Sequence, residues 1–175
     1  MKLTPTMEKF VLHWGEMGSR WGVNRTVAQV HALLYLAERP LHAEEIATTL
    51  GVARSNVSNS LKELQSWELV KLVHVLGDRR DHFESLLDPW DLFLTIAEGR
   101  KRRELDPTLT MLRQCVIEAG DDRETPAEVK RRIKDVLGFM EGLTGWYEQM
   151  RRLPRAALVK MLKMGGKVAK LLDGS

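Results

Sequence analysis

Within nine residues the chain places Arg54, Ser55, Asn56, Ser58, Asn59 and Lys62, broken by Val57, Ser60 and Leu61 and followed by no acid until Glu63. At helical spacing Val57, Leu61 and Leu64 share one face, and the polar set is left over on the other. These side-chain types suit the edges of base pairs. Arginine bonds guanine bidentately, asparagine bonds adenine, and serine reaches bases or phosphates. Lys62, farther along, fits a phosphate better than a base. A face meant only for water would more often carry Glu and Lys pairs. Farther along comes Gly77-Asp78-Arg79-Arg80-Asp81. Two adjacent arginines on a projecting turn can enter a minor groove, where narrow A·T tracts concentrate negative potential. Asp78 and Asp81 stand where they can restrain the guanidiniums. The alternative is a solvated turn with local ion pairs.

Other reactive residues form no catalytic pattern. The five histidines (His13, His31, His42, His74, His82) lack metal-ligand spacing, and no cofactor or metal is expected. Cys115 stands alone, so an inert buried thiol is expected rather than a redox pair. Glu44 and Glu45 are sequence neighbours that point apart on a helix and suit the positive end of its dipole. There is no phosphate-cradling glycine loop and no nucleophile elbow, so an enzyme is not expected. Trp14 and Trp21 share a helix face, and Trp146 and Tyr147 adjoin on a late helix. Such rings can cage a quaternary ammonium by cation–π attraction, or simply pack in a core.

The elements that must position these groups are helical at first. Met7, Phe10, Val11, Trp14, Met17 and Trp21 follow steps of three and four, and Gly22 ends that helix. Val23 to Ala37 repeat the pattern, with Pro40 as the stop. A short helix over 43–50, a break at Gly51 and a helix over 53–67 make a helix-turn-helix, with Ala47 small where the two would cross. Val70–Val75 and His82–Leu86 read as strands around the Gly77-Asp78 turn. Asp88-Pro89 starts another helix, which runs through the basic stretch 100–103 and is interrupted or restarted at Pro107. Val129, Ile133, Val136, Met140, Leu143, Tyr147 and Met150 then alternate steps of four and three, a heptad-like seam for docking another helix. Gly138, Gly142 and Gly145 would let a neighbouring backbone approach. A final helix follows Pro154.

The expected fold is mainly α: a winged helix-turn-helix with a small β-hairpin wing and long N- and C-terminal dimerisation helices. Its expected divisions are an N-terminal supporting helix over 1–22, the winged helix-turn-helix over 23–88 and a helical dimerisation and effector region over 89–175. A two-stranded hairpin is marginal by itself, so it must lean on the preceding helices.

Of the 175 residues, 43% are hydrophobic and 29% charged, with a net charge of +3, as in ordinary globular proteins. Charge is unevenly spread: residues 43–88 hold 5 basic and 8 acidic side chains, residues 151–175 hold 7 and 1. Attraction to DNA must therefore come from placement rather than sum. No apolar run reaches the roughly 20 residues that cross a bilayer, and the N-terminus lacks a signal peptide's apolar core. With a single cysteine, this points to the cytoplasm. The basic tail (Lys160, Lys163, Lys167, Lys170) flanks an apolar stripe suited to a partner subunit, or less well to an anionic membrane.

These motifs resemble the GbsR-like branch of the MarR family. The resemblance is carried by Trp21-Gly22, Pro40-Leu41, Glu45-Ile46-Ala47, Leu50-Gly51-Val52, Asn56-Val57-Ser58, Leu61-Lys62-Glu63-Leu64, Trp67 and Gly77-Asp78-Arg79-Arg80-Asp81, over about residues 7–105. It implies a dimeric, often autoregulating transcription factor, usually a repressor, on a near-palindromic double-stranded operator. It further implies a small-molecule effector of the choline or betaine kind, for which Trp14, Trp21, Trp146 and Tyr147 are the candidate contacts. Ala53 stands where the branch often has a hydroxyl or small residue. The rival expectation, favoured by the acidic balance of residues 43–88, is a protein–protein interaction module that keeps the fold without an operator.

Overall fold

The computed structural model describes residues 1–164, which fall into two units meeting at residues 101 and 102. The first contains α1 (Pro5–Arg20), α2 (Arg25–Leu36), β1 (Leu41–His42), α3 (Ala43–Leu50), α4 (Arg54–Ser66), β2 (Val70–Val73), β3 (His82–Ser85) and α5 (Pro89–Arg100). The second contains α6 (Asp106–Asp121), α7 (Ala127–Arg151) and α8 (Arg155–Met164). A π turn, Lys101–Leu105, precedes α6, just before the proline that lacks a helical N–H. The expected tail residues Lys167 and Lys170 lie outside the described residues.

Helix α2 is the axis of the first unit. Asn24 caps it, its Oδ1 accepting the Thr26 N–H at 2.8 Å, and seven of its twelve residues are buried. It ends at Leu36, earlier than Pro40 alone would dictate, because Ala37 already adopts an extended conformation. Leu33, Leu34 and Val30 join Leu41, Ile46 of α3 and Val57 of α4 as fully buried side chains. Removing any of the larger ones would cost about 2–5 kcal/mol. Helix α1 begins at Pro5, with the Thr4 hydroxyl accepting the Met7 N–H at 3.3 Å. It crosses α2 so closely that a Cβ on Gly18 would lie 2.5 Å from that of Ala28. A Cβ on Gly15 would lie 2.7 Å from the Gln29 side chain of α2, a second close approach along this crossing. The glycines expected to serve one, Gly138, Gly142 and Gly145, have nothing within 4 Å among the described residues.

The sheet has three antiparallel strands in the order β1-β3-β2, with Leu41 opposite Phe83, His42 opposite His82 and Val70 opposite Ser85. The expected hairpin is thus pinned by a third strand that was not anticipated. Two residues are too few to show a period. Beneath the sheet Ser85 Oγ lies 3.2 Å from His31 Nε2. Burial lowers the His31 pKa from 6.5 to about 4, which keeps this imidazole neutral near pH 7.

The second unit is built differently. Helices α6 and α7 pack together, tied by Arg113 Nε donating to Glu141 Oε1 at 2.9 Å, yet Leu109 and Thr144 are its only buried residues among those described. No member of the seam from Val129 to Met150 is buried. Cys115 is half-buried on α6, not buried as expected, with its sulfur 3.5 Å from that of Met111. Among the described residues no helix is long and apolar enough to cross a membrane.

Candidate nucleic-acid interface

Helix α4 is oriented by what it hides. Val57, Leu61 and Leu64 enter the core, and the Ser60 hydroxyl turns inward to donate to the Asn56 carbonyl at 2.8 Å. Arg54, Ser55, Asn56, Asn59 and Lys62 are therefore exposed, with Ser58 half-buried. The helix is presented by α3. There the His42 Nδ1 accepts the Glu45 N–H at 3.3 Å as an N-cap, and Gly51 closes the far end at φ 65°. Glu44 and Glu45 both sit in the first turn of α3, as the helix dipole favours. Glu45 is also braced from outside. Burial opposes its ionisation, but hydrogen bonds from Arg39 and the N-terminal ammonium outweigh burial and hold its pKa below the usual value.

The polar residues of α4 divide between two flanks. Arg54, Ser58 and Lys62, four residues apart, line a groove of about 450 Å³ together with Leu72, Arg79 and Arg80 of the wing. Asn56 and Asn59 line a smaller one, about 230 Å³, against Asn24 and Thr26 at the start of α2. Ser55 is exposed on the first turn. Two stretches distant in sequence thus converge on one groove.

The two wing arginines differ. Arg80 is clamped, its Nε donating to both Asp78 carboxylate oxygens at 2.9 and 3.1 Å and its own backbone N–H to Oδ1 at 3.0 Å. Those bonds from Arg80 hold the Asp78 carboxyl far below the usual carboxylate range and raise the Arg80 pKa in turn. Both side chains are exposed enough for water to screen most of that attraction. Arg79 is exposed and makes no ion pair among the described residues. Among the described residues the clamp comes from Asp78, and Asp81 forms no such bond. His82 Nδ1 lies 2.9 Å from the Arg80 carbonyl, and its ring meets that of His42 edge-on with centroids 5.5 Å apart.

The candidate effector residues separate between the units. Trp14 and Trp21 line a largely apolar cavity of about 520 Å³ with Phe10, His31, Tyr35 and Trp67. Phe10 and Trp14 stack with centroids 5.3 Å apart, and Trp21 is 62% exposed at the rim. Arg100 Nη2 donates to the Trp21 carbonyl at 2.9 Å. The sequence reading missed Phe10, Tyr35, His31 and Trp67, which come from three different stretches; the Trp14–Trp21 spacing was the only signal. Trp146, exposed, and Tyr147, half-buried, lie on α7 in the second unit. No group of three metal-ligating side chains occurs among the described residues.

A helix-turn-helix followed by a hairpin wing in a three-stranded sheet, with the polar helix exposed beside basic wing residues, defines the winged-helix fold. Residues 21–81 match the MarR family. The chain is 20% identical over 149 residues to YvaV of Bacillus subtilis (strain 168), an HTH-type transcriptional regulator by name, covering 83% of this chain and 84% of that one. It is 19% identical to the HTH-type transcriptional repressor OpcR of the same organism, over 76% and 74% of the two chains. A crystal structure of a transcriptional regulator shares the fold at a TM-score of 0.63 and 23% identity, covering 83% of this chain and 99% of the other.

Proposed function

We propose that the chain is a MarR-family transcriptional regulator of the GbsR-like branch, a sequence-specific repressor acting as a homodimer on a near-palindromic operator. The observation that carries the reading is the groove in which Arg54, Ser58 and Lys62 of α4 meet Arg79 and Arg80 of the wing. Arg54, Ser55, Asn56, Ser58 and Asn59 read base edges in the major groove. Lys62 neutralises phosphate, and Arg79 and Arg80 flank the minor groove. The uncovered seam of α7 supports pairing with a second copy, which sets two α4 helices about one helical turn (~34 Å) apart. On this reading residues 1–22 support the winged helix-turn-helix of 23–88, and residues 89–175 dimerise and respond to effector. The aromatic cavity holding Trp14 and Trp21 supports a small-molecule effector, with a choline- or betaine-like cation satisfied by cation–π attraction; Trp146 and Tyr147 are further candidate contacts. Repression by a relative's name favours repression here.

A gel shift with the upstream region of the chain's own gene tests the reading. Sequence-preferring retention is expected, and Arg54→Ala should lose about 1–3 kcal/mol and relax preference at one base pair. Loss uniform across operator and random DNA would refute base reading by Arg54. No retention at low salt would favour a protein–protein interaction module instead. Choline that neither releases the operator nor alters tryptophan fluorescence would remove the effector assignment.

A further inference from the structure

The tip of the wing carries a leucine with no cover. Val75–Asp78 closes as a tight turn, the Asp78 N–H donating to the Val75 carbonyl at 3.0 Å, with Gly77 at φ 84°. Positive φ at the third position is the mark of a type II turn, in which Leu76 occupies the second position. Nothing in that geometry asks for an apolar side chain, since proline is the residue the position favours. Leu76 is nonetheless 103% exposed, more than any other large hydrophobic residue described. Its wing neighbours Leu72 and Val75 are at 38% and 39%. Scattered exposed leucines need no explanation. This one stands at the apex, three residues before the unpaired Arg79.

We propose that Leu76 is an apolar probe of the minor groove, packing against the deoxyribose faces that wall it while Arg79 engages phosphate. The inference rests on the DNA-binding reading of the wing. Charge complementarity selects this occupant. The side chains beside the leucine include a guanidinium with no acidic partner among the described residues and a second one held in place by Asp78. A polyanion satisfies these cations and also offers C–H surface between its charged rails. Proteins that enter the minor groove repeatedly place apolar side chains there. The division of labour has a signature. Contact through Arg79 releases counterions and depends on salt, whereas contact through Leu76 buries apolar surface and does not.

The test uses the full-length chain and a duplex that it selects from a random-sequence library, with affinity followed by fluorescence anisotropy across a salt series. Leu76→Ala should weaken binding about 5- to 20-fold, in keeping with burial of much of one leucine side chain. Its plot of log K against log salt should run parallel to that of the wild type. Leu76→Met should stay within about 2-fold, because it restores apolar volume. Arg79→Ala should reduce the slope by about 0.9. Leu76 is fully exposed among the described residues, so circular dichroism should be unchanged in its variants. Equal affinity of Leu76→Ala and wild type overturns the proposal and leaves the leucine to a protein partner. So does a slope that falls in Leu76→Ala. If the wild type selects no duplex, the DNA-binding reading fails as well, and the two failures are told apart by that control.

Discussion

Helices α2 and α7 are both patterned with apolar residues at helical spacing, but they end in opposite circumstances. Seven of the twelve residues of α2 are buried, whereas Thr144 is the one buried residue among the twenty-five of α7. The difference lies in what surrounds each stripe. Around α2 the chain supplies α1, α3, α4 and the sheet, so its apolar face is consumed within the first unit. Around α7 the described second unit supplies chiefly α6, which covers one flank and leaves Val129, Val136 and Leu143 each more than 40% exposed. Hydrophobic periodicity announces that a face will be buried. Whether the covering surface belongs to the same molecule is a separate fact.

The contrast can be broken most forcefully at the core. Leu33→Ala, on a side chain with no exposure, should lower stability by about 2–5 kcal/mol in urea unfolding; a loss under 1 kcal/mol would mean the α2 core is looser than described. An acid titration addresses the same helix. The His31 pKa is lowered from 6.5 to about 4 by burial, so the folded state resists protonation that the unfolded chain accepts. Stability is then complete above about pH 6.5, falls as pH drops toward 4, and loses about 3 kcal/mol in all. His31→Leu should flatten that part of the profile. Where α1 meets α2, Gly18→Ala should cost about 1–3 kcal/mol through overpacking against Ala28, whereas Gly142→Ala in α7 should be neutral or slightly stabilising unless a second chain approaches there.

On the other side of the comparison, the homodimer proposed above implies that Leu143→Asp should leave the melting of the first unit intact while reducing the sedimenting mass from that of a pair to a single 20.0 kDa chain. Unchanged mass would exclude this seam from pairing. The smallest effect concerns the wing: Arg80→Ala, which removes the guanidinium that clamps Asp78, should leave the urea midpoint essentially unchanged, since the pair is screened by water.

Much of this architecture was legible in the sequence, for identifiable reasons. Gly51 between two short periodic runs locates the turn of the helix-turn-helix, and the Asp88-Pro89 pair locates the start of α5, whose cap accepts the Trp90 N–H at 2.8 Å. The exposure of Arg54, Asn56, Asn59 and Lys62 follows from the positions of Val57, Leu61 and Leu64. Their division between two flanks does not, because it depends on where α2 and the wing come to lie. Strand β1 escaped notice for its brevity. The aromatic cavity escaped for the opposite reason: its walls come from residues separated by more than fifty positions, and spacing along one helix reveals only Trp14 and Trp21. The unequal roles of Arg79 and Arg80 were hidden too, since either could have reached Asp78 until the turn fixed which one does.

The pairing of β1 with β3 has a consequence for the DNA recognition proposed above. Because Leu41 and His42 bond the wing strand directly ahead of α3, the hairpin is stapled to the scaffold that carries α4. The pair should act like a die with two raised marks at a fixed separation. Sites whose flanking groove is out of phase with the central bases by even one base pair should be rejected as a whole, with no swing of the hairpin to rescue them.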